Sequence, residues 1–256
     1  MAGLLAATAA PLAAKGPWQV DRAPDGCLMV RSFVDGEGEA VLAWRALPLE
    51  ESVEIVVSRK GGMDGVRVGW AVVTTSLGGR DRTIFERSPG AAPGTSVTRL
   101  RVLKALFDNP GERVTMTIEP DKAPSLAFAL DKPLNAFAAL AACQEEMLKG
   151  WGVDPGERAR VAQPPEGAPG DWIAVSDYPR KALREGRQGT SVFLFRIGTA
   201  GTVDLCRTVV SSGTPALDEA ACSAMMRRGR FVPARDAQGR PVAVHRVHRI
   251  RWQLPN

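Results

Sequence analysis

The sequence predicts an α+β protein of two domains. The first is an antiparallel β-rich domain closed by a helix. The second is an α-β-β-α-β domain with a three-stranded antiparallel sheet and two helices. Short segments of alternating polarity, bounded by Gly, Pro and Asp, fill roughly the first 130 residues. One long segment with apolar residues at helical spacing follows them. Beyond it, a Pro- and Gly-rich stretch precedes a second group of strand and helix patterns.

The first domain is assigned to residues 15–156. Its strands are predicted from alternation at 18–20, 27–34, 39–46, 53–58, 66–75, 113–119 and 126–130. The segment 98–107 is ambiguous between a strand and a helix. The closing helix is predicted from Leu134 to Trp151, because this segment has an apolar face and ends at two glycines. The Gly-rich turn at 61–65 lacks the spacing of a nucleotide-binding loop.

Residues 157–171 are predicted to be a linker, and residues 172–256 form the second domain. Its elements are predicted in the order helix, strand, strand, helix, strand, at 178–186, 190–197, 202–210, 214–225 and 240–254. The two middle strands are joined by a short Gly-containing turn, which is typical of a hairpin. In the last strand, Arg246 and Val247 interrupt the alternation, which predicts a bulge or a change of faces there.

Short motifs occur in a fixed order along the last third of the chain. They are Tyr178-Pro179, Glu185-Gly186, Gly189, Gly201, Ser211-Ser212-Gly213, Leu217-Asp218, Phe231, Pro233-Ala234, Gly239 and Trp252-Gln253-Leu254-Pro255. In this order and spacing they resemble the TonB C-terminal domain family of Gram-negative bacteria, over about residues 172–255. The resemblance implies a periplasmic domain. In the family, this domain binds a short peptide segment of outer-membrane transporters and passes on energy from an inner-membrane motor for transmembrane transport.

The resemblance also implies how the peptide is bound. The last strand of the family's domain presents an edge to which the partner adds as a further strand. Residues just before the Tyr-Pro motif touch the partner as well. Carried onto this sequence, the peptide-binding candidates are Ser176, Asp177, Tyr178, Val242, Ala243, Val244, His245, Arg246, Val247, His248 and Arg249. The alternative is a structural or assembly protein that self-associates, as a homodimer, through the same edge.

The first fourteen residues are uncharged and consist of small and apolar residues. They are too few to span a bilayer, which takes about 20 apolar residues. They fit the apolar region of a secretory signal peptide at 1–14, with cleavage after Ala14. This predicts export to the periplasm. Two alternatives stay open: a start further upstream that adds a basic region or a membrane anchor, or an ordinary N-terminus.

Four cysteines, Cys27, Cys143, Cys206 and Cys222, make an even count, which suggests disulfides in an exported protein. Three pairings are open. The resemblance favours Cys206 with Cys222, because the second strand and second helix of a TonB-like domain pack together. That pairing leaves Cys27 with Cys143. The alternative is four buried free thiols. No two cysteines have the close spacing of a zinc site.

Residue types that carry catalysis are sparse. The two histidines, His245 and His248, have a spacing that places them on opposite faces of a regular strand, so they cannot easily share a metal or a substrate. Ser211-Ser212-Gly213 is interpreted as a strand-to-helix turn and not as a nucleophile elbow. The sequence therefore predicts no enzyme, no catalytic residue, no metal or cofactor site and no small-molecule substrate.

Basic residues are concentrated in the second domain. From Trp172 onward there are 14 Lys and Arg against 6 Asp and Glu, whereas the whole chain has 33 against 28. Such an excess is typical either of a solvated basic face or of a surface that attracts acidic partners or lipid headgroups. Nucleic acid is not predicted as a partner, because no known binding motif or aromatic run for base stacking is present.

Overall fold

A computed structural model describes residues 10–23, 26–35, 38–121 and 123–254. The fold is mixed α+β and divides into two compact units. The first unit runs up to Leu47 and continues over Glu51–Gln144; the second contains Pro48–Glu50 and the chain from Glu145 onward. Residues 1–9 of the predicted signal peptide lie outside the described residues, whereas Leu12 and Ala13 belong to the sheet of the first unit, so the predicted cleavage after Ala14 would remove them from it.

Nine antiparallel strands form the sheet of the first unit. They are β1 (Ala13–Ala23), β2 (Gly26–Asp35), β3 (Gly38–Ala46), β4 (Ser52–Lys60), β5 (Arg67–Thr75), β6 (Arg80–Pro89), β7 (Thr95–Leu103), β8 (Arg113–Pro120) and β9 (Leu126–Asp131). Their order across the sheet is β1-β2-β3-β4-β7-β6-β5-β8-β9. Strand β3 shows the alternation from which these strands form: Leu42 and Trp44 point inward and are buried, while Val41, Ala43 and Arg45 are partly exposed.

The two ends of this sheet approach each other by strand pairing. Leu12, just before β1, forms a parallel bridge with Phe128 of β9 and is buried. Its N–H donates to the Ala127 carbonyl at 2.8 Å, and its carbonyl accepts from the Ala129 N–H at 3.2 Å. The prediction that a helix closes this domain is therefore wrong, because the nine-stranded sheet is nearly closed by its own outermost strands. In an antiparallel sheet of nine strands, the two outermost strands run parallel to each other. A local hairpin pattern in the sequence therefore cannot predict their contact.

Two parts of the first unit show the limits of the local pattern. Strand β6 was not predicted, because its sequence is rich in charged residues and only Phe85 is fully buried. The ambiguous segment 98–107 contains both structures: β7 ends at Leu103, and a 3-10 helix follows over Lys104–Phe107. The predicted Gly-rich turn at 61–65 connects β4 to β5.

The longest helix is α1, which runs from Pro133 to Gly150, close to its predicted range. The predicted disulfide Cys27–Cys143 is confirmed and ties β2 to α1. The ring of Phe137 on α1 lies 5.0 Å from the ring of Trp44 on β3. Across the residues that the structure describes, no helix combines the length and the apolar character needed to cross a membrane.

The second unit has the predicted order of elements. They are α2 (Arg180–Arg184), β10 (Gly189–Ile197), β11 (Val203–Val210), α3 (Pro215–Arg228) and β12 (Val244–Trp252). The three strands form an antiparallel sheet in the order β11-β10-β12. Strand β12 begins at Val244, four residues later than predicted.

The core of this unit lies between the sheet and α3. Phe193, Phe195 and Ile197 point from β10 toward Leu217 and Met225 of α3, and all five are fully buried. The predicted disulfide Cys206–Cys222 is confirmed and joins β11 to α3. Tyr178, before the first helix of this unit, and Trp252, at the end of its last strand, belong to the same buried cluster, so one core joins all the elements.

The Pro- and Gly-rich stretch predicted as a linker runs along the second unit. Gln163 forms an antiparallel bridge with Arg235, and Glu166 forms one with Val232. The two N–H···O bonds between Glu166 and Val232 are 3.2 and 2.9 Å long. The ring of Trp172 lies 4.7 Å from that of Phe231. The stretch is therefore anchored to the loop before β12 by backbone hydrogen bonds and an aromatic contact.

Candidate functional site

The last strand, β12, forms one edge of the three-stranded sheet. In the described part of the chain its strand neighbour is β10 alone. The register between them runs without a shift, from Gly189 opposite Trp252 to Ile197 opposite Val244. A long, regular edge strand presents a row of backbone groups to which another strand can pair. This edge coincides with most of the predicted peptide-binding residues.

The bulge or change of faces predicted at Arg246 and Val247 is wrong. The register shows no irregularity there. Val247 is buried and lies opposite Leu194, which is also buried, on the face that does not carry Phe195. Residues on both faces of the sheet are buried at this point. A regular strand can therefore carry apolar residues on either face, and a break in the alternation does not require a bulge.

The opposite edge, β11, is less regular. Its register with β10 shifts between Val192 and Phe193 and again between Arg196 and Ile197. Such irregularities twist an edge and hinder pairing with a further strand. Of the two edges, β12 is the one whose geometry suits the addition of a strand.

A carboxylate already occupies the start of the β12 edge. Glu157, in a 3-10 helix over Pro155–Arg160, accepts the His245 N–H with Oε1 at 2.5 Å. Its Oε2 lies 2.8 Å from His245 Nδ1. The helix itself is held by Asp154, which accepts from the Gly156 N–H and pairs with Arg160. Since the His245 N–H donates to Glu157, it points away from β10. The contact therefore shows which backbone groups of β12 face outward from the sheet. The sequence did not indicate it, since 88 residues separate the partners.

The ionisation of Glu157 follows from this contact. Burial is the largest single influence and raises its pKa. The hydrogen bonds from the His245 ring and backbone together outweigh burial, so the pKa lies below its ordinary value of 4.5. At pH values above its lowered pKa, the Glu157 carboxylate is charged and accepts both hydrogen bonds. The contact with His245 loosens as the pH falls through that pKa.

The two histidines lie in different surroundings, as their spacing predicted. His245 contacts Glu157, whereas the ring of His248 packs edge-on against Phe193 at 5.7 Å. Within the ranges that the structure describes, no group of three His, Cys, Asp or Glu side chains is placed to hold a metal ion.

The candidates Ser176, Asp177 and Tyr178, which precede or begin the Tyr-Pro motif, have three different environments. Ser176 is exposed. The Asp177 side chain is only 9% exposed and bonds to Arg228 and to the Ala174 N–H. Tyr178 is buried, donates its hydroxyl to the Arg187 carbonyl and packs its ring against Trp252 at 5.3 Å. Ser176 is thus available to a partner, while Asp177 and Tyr178 hold this segment in place.

The candidates Val242 and Ala243 precede β12. The Val242 N–H donates to the Ala234 carbonyl at 2.8 Å, so this end of the segment is tied to the preceding loop. The remaining candidates, Val244 to Arg249, lie in β12 itself. The structure therefore brings most of the predicted residues onto one edge.

Residues 175–254 match the family model of the Gram-negative bacterial TonB protein C-terminal. The match covers less than a third of the chain, and the matched segment is called the TonB domain from here on. No curated protein matches the chain at a significant level. The family is one of non-enzymatic protein-interaction domains. Proteins of this family are periplasmic or anchored in the membrane.

One motif of the TonB domain has a clear structural role. Asp218, in the first turn of α3, is buried and accepts from the Ser211 hydroxyl at 2.6 Å and from the Ser212 N–H at 2.9 Å. Gly213 completes this connection with a φ of +83°, in the region that favours glycine. The Ser-Ser-Gly and Leu-Asp motifs thus belong to one hydrogen-bonded turn.

Asp177→Asn is expected to destabilise the TonB domain by about 2 kcal/mol at neutral pH, because buried hydrogen bonds to a charged group are lost or weakened. Burial is the largest single influence on Asp177 and raises its pKa. Arg228, the Ala174 N–H and Arg227 outweigh it and hold the pKa below the ordinary value of 3.8. A depressed pKa adds stability above the unfolded value that is lost as the pH falls through the folded value. The difference between wild type and variant should therefore shrink below about pH 4, as measured by urea unfolding.

Asp171→Asn is the matched control. Asp171 is exposed, lies six residues earlier and belongs to a similar 3-10 turn. Its replacement should change the free energy of unfolding by less than about 0.5 kcal/mol at any pH. Equal effects of the two substitutions, or a difference for Asp177→Asn that persists at low pH, would contradict the structural role given to Asp177.

Proposed function

We propose that the TonB domain binds a peptide segment of outer-membrane transporters in the periplasm, by addition of a strand to β12. The observation that carries this proposal is the edge itself. Strand β12 is nine residues long, is paired in regular register with β10 on one side and has no other strand neighbour in the described ranges. Strand addition uses backbone hydrogen bonds for affinity and alternate side chains for specificity.

The direction of the backbone groups defines the pairing. The His245 N–H points away from β10, toward Glu157. Because these groups alternate along a strand, the N–H and C=O of Val247 and Arg249 face the same side. A partner strand would align with these residues, and Ser176 would contact it beyond the end of the strand. In this proposal, the peptide-binding residues of β12 would form a short ladder of hydrogen bonds with the partner strand.

The charge of the strand suggests the chemistry of the partner. Strand β12 contains three arginines, Arg246, Arg249 and Arg251, within a stretch of six residues. The domain as a whole has an excess of basic residues. Positive side chains beside a pairing edge favour a partner segment with acidic residues, since complementary charge raises the association rate and selects the partner.

The full-length protein, labelled with ¹⁵N, tests the proposal in an NMR titration with N-terminal peptides of outer-membrane transporters from the same cell. Saturating shifts are expected on Ser176 and β12. Val247→Pro should weaken binding at least tenfold, because it removes one outward N–H, while an edge strand tolerates proline at such a position. The amides of β11 serve as the internal control and should not move.

Three results would contradict the proposal. One is the absence of shifts at millimolar peptide, and another is a set of shifts confined to β11. The third is a concentration-dependent change at β12 without peptide, together with a doubled mass in solution. That result would support self-association through the same edge.

Glu157→Ala is expected to tighten peptide binding about threefold to tenfold, because a partner would no longer have to displace a carboxylate from the His245 N–H. The same NMR titration measures the change. Asp154→Ala is a useful comparison: it loosens the turn that carries Glu157 but leaves the carboxylate in place, so its effect should be smaller and in the same direction. Weaker binding by Glu157→Ala would show that this contact supports the edge and does not compete for it.

A further inference from the structure

Two arginines lie on the inner face of the nine-stranded sheet, near one of its ends. In β4 the buried residues alternate through Ile55 and Val57, and Arg59 continues this series. In β6, Arg87 follows the buried Phe85 by two positions. Side chains two positions apart in a strand share a face, so both arginines lie on the face that carries the core. Charged side chains are uncommon at such positions.

Strand β7 lies between these two arginines and contributes two hydroxyl groups. Ser96 lies directly opposite Arg59 in the register, and Thr98 lies directly opposite Arg87. Arg87 Nη2 donates to Ser96 Oγ at 3.0 Å, and Ser96 is only 2% exposed. This hydrogen bond holds the guanidinium group of Arg87 against β7. The two cations and the two hydroxyl groups therefore form one cluster on the inner face.

All four residues of this cluster line a cavity of about 230 Å³ in the first unit. Lys60 adds a third cation to the lining. The rest of the lining is mainly apolar and includes Phe85, Ile118 and Leu126. In the part of the chain that the structure describes, no Asp or Glu belongs to the lining. A concave space with an apolar surface and a few convergent charged groups suits a small organic molecule of the opposite charge.

The guanidinium of Arg87 has capacity for such a partner. Within the described ranges its hydrogen-bond partner is the neutral hydroxyl of Ser96 and not a carboxylate. A guanidinium stays charged at neutral pH and presents five N–H donors in a planar fork. A carboxylate can accept two parallel N–H bonds from this fork, and such charge-assisted bonds are stronger than bonds between neutral groups. Since Arg87 is half-buried, the charge of a bound anion would be screened less by water than at an exposed site.

We propose that this cavity binds a small carboxylate with a short apolar chain. The carboxylate pairs with Arg87, Arg59 and Lys60 add to the positive potential, and the chain packs against Phe85 and Leu126. The volume fits this class of ligand. It exceeds the roughly 150 Å³ of an engineered cavity that holds benzene, and lies below the roughly 300 Å³ at which sites for drug-sized ligands begin. This site belongs to the first unit and does not depend on the peptide-binding edge proposed for β12.

Three probes of equal carbon number and different charge test the proposal: hexanoate, hexan-1-ol and hexylammonium. Each is titrated at neutral pH into the full-length protein labelled with ¹⁵N, and binding is followed by NMR. Hexanoate is expected to bind at least about tenfold more tightly than hexan-1-ol, because its bonds to the guanidinium are charge-assisted. Hexylammonium should bind more weakly than either, because the cations of the cavity repel it. The shifts are expected on the amides of Arg87, Ser96 and Leu126.

Arg87→Gln and Arg99→Gln form a matched pair of variants. Arg99 also donates to a serine hydroxyl, that of Ser88 at 3.3 Å, but it is exposed and lies on the outer face of β7. Arg87→Gln is expected to weaken hexanoate binding at least about tenfold and to leave the affinity for hexan-1-ol within about twofold. Arg99→Gln should leave both affinities within about twofold.

Ala123→Trp and Ala91→Trp locate the site. Both positions lie in connections between strands, Ala123 between β8 and β9 and Ala91 between β6 and β7. Ala123 lines the cavity, whereas Ala91 is exposed and does not line it. Ala123→Trp is expected to abolish hexanoate binding, and Ala91→Trp to leave it unchanged. The proposal is overturned if hexanoate shows no saturable binding, if hexanoate and hexan-1-ol bind the wild type equally, if Arg87→Gln and Arg99→Gln have equal effects, or if Ala123→Trp has none.

Discussion

Gly201→Ala is expected to destabilise the TonB domain by about 3 kcal/mol, a large fraction of the stability of a small domain. Gly201 has a φ of +77°, a left-handed conformation that costs other residues about 1–2 kcal/mol. An added Cβ would also lie 2.1 Å from the Phe231 carbonyl oxygen. That backbone cannot move away freely, because the Phe231 N–H donates to the Gly201 carbonyl at 2.8 Å. Forcing an atom into such a contact costs about 1–3 kcal/mol more.

Gly239→Ala separates the two contributions. Gly239 has nearly the same φ, +75°, but nothing lies within 4 Å of an added Cβ. Its replacement should cost only about 1 kcal/mol, the conformational part. Urea unfolding followed at the Trp252 indole signal measures both variants in the same domain. If the two substitutions cost the same, the close approach of the Gly201 and Phe231 backbones is not a constraint on the fold.

Removal of the Cys27–Cys143 disulfide, by alanine at both positions, is expected to destabilise the first unit by up to about 5 kcal/mol. The bond joins residues 116 positions apart. In the chain-entropy model, a cross-link of this span removes more conformations from the unfolded chain than a short one does. Cys27 is also fully buried in the sheet, so its sulfur is lost from a packed core.

The second disulfide provides the comparison. Cys206 and Cys222 are 16 positions apart, and their replacement should cost the TonB domain about 3 kcal/mol. The indole signals of Trp44 and Trp252 report the two units separately in one unfolding experiment. A larger loss for the shorter loop would contradict the entropic account and would place the main contribution in the folded contacts.

The sequence by itself determined the second unit well. The order helix, strand, strand, helix, strand is confirmed, because each element carries a local signal of its own. Phe193, Phe195 and Ile197 alternate onto one face, and Pro215 stands at the start of α3. The family motifs and both disulfide pairings are confirmed as well. Local periodicity and turn residues are enough for the order of elements, since these signals depend on neighbours within a few positions. The disulfide pairings came instead from the family resemblance, because Cys27 and Cys143 are 116 positions apart.

Only the tertiary structure decided the features that join distant parts of the chain. Leu12 meets Phe128 to bring the nine-stranded sheet close to closure, and β6 is a strand because β5 and β7 flank it. The same holds at the candidate peptide-binding edge. Glu157 reaches His245 across 88 positions. Such contacts depend on which surfaces the folded chain brings together. A local pattern of polarity shows that a residue is buried, but not which residue it is buried against.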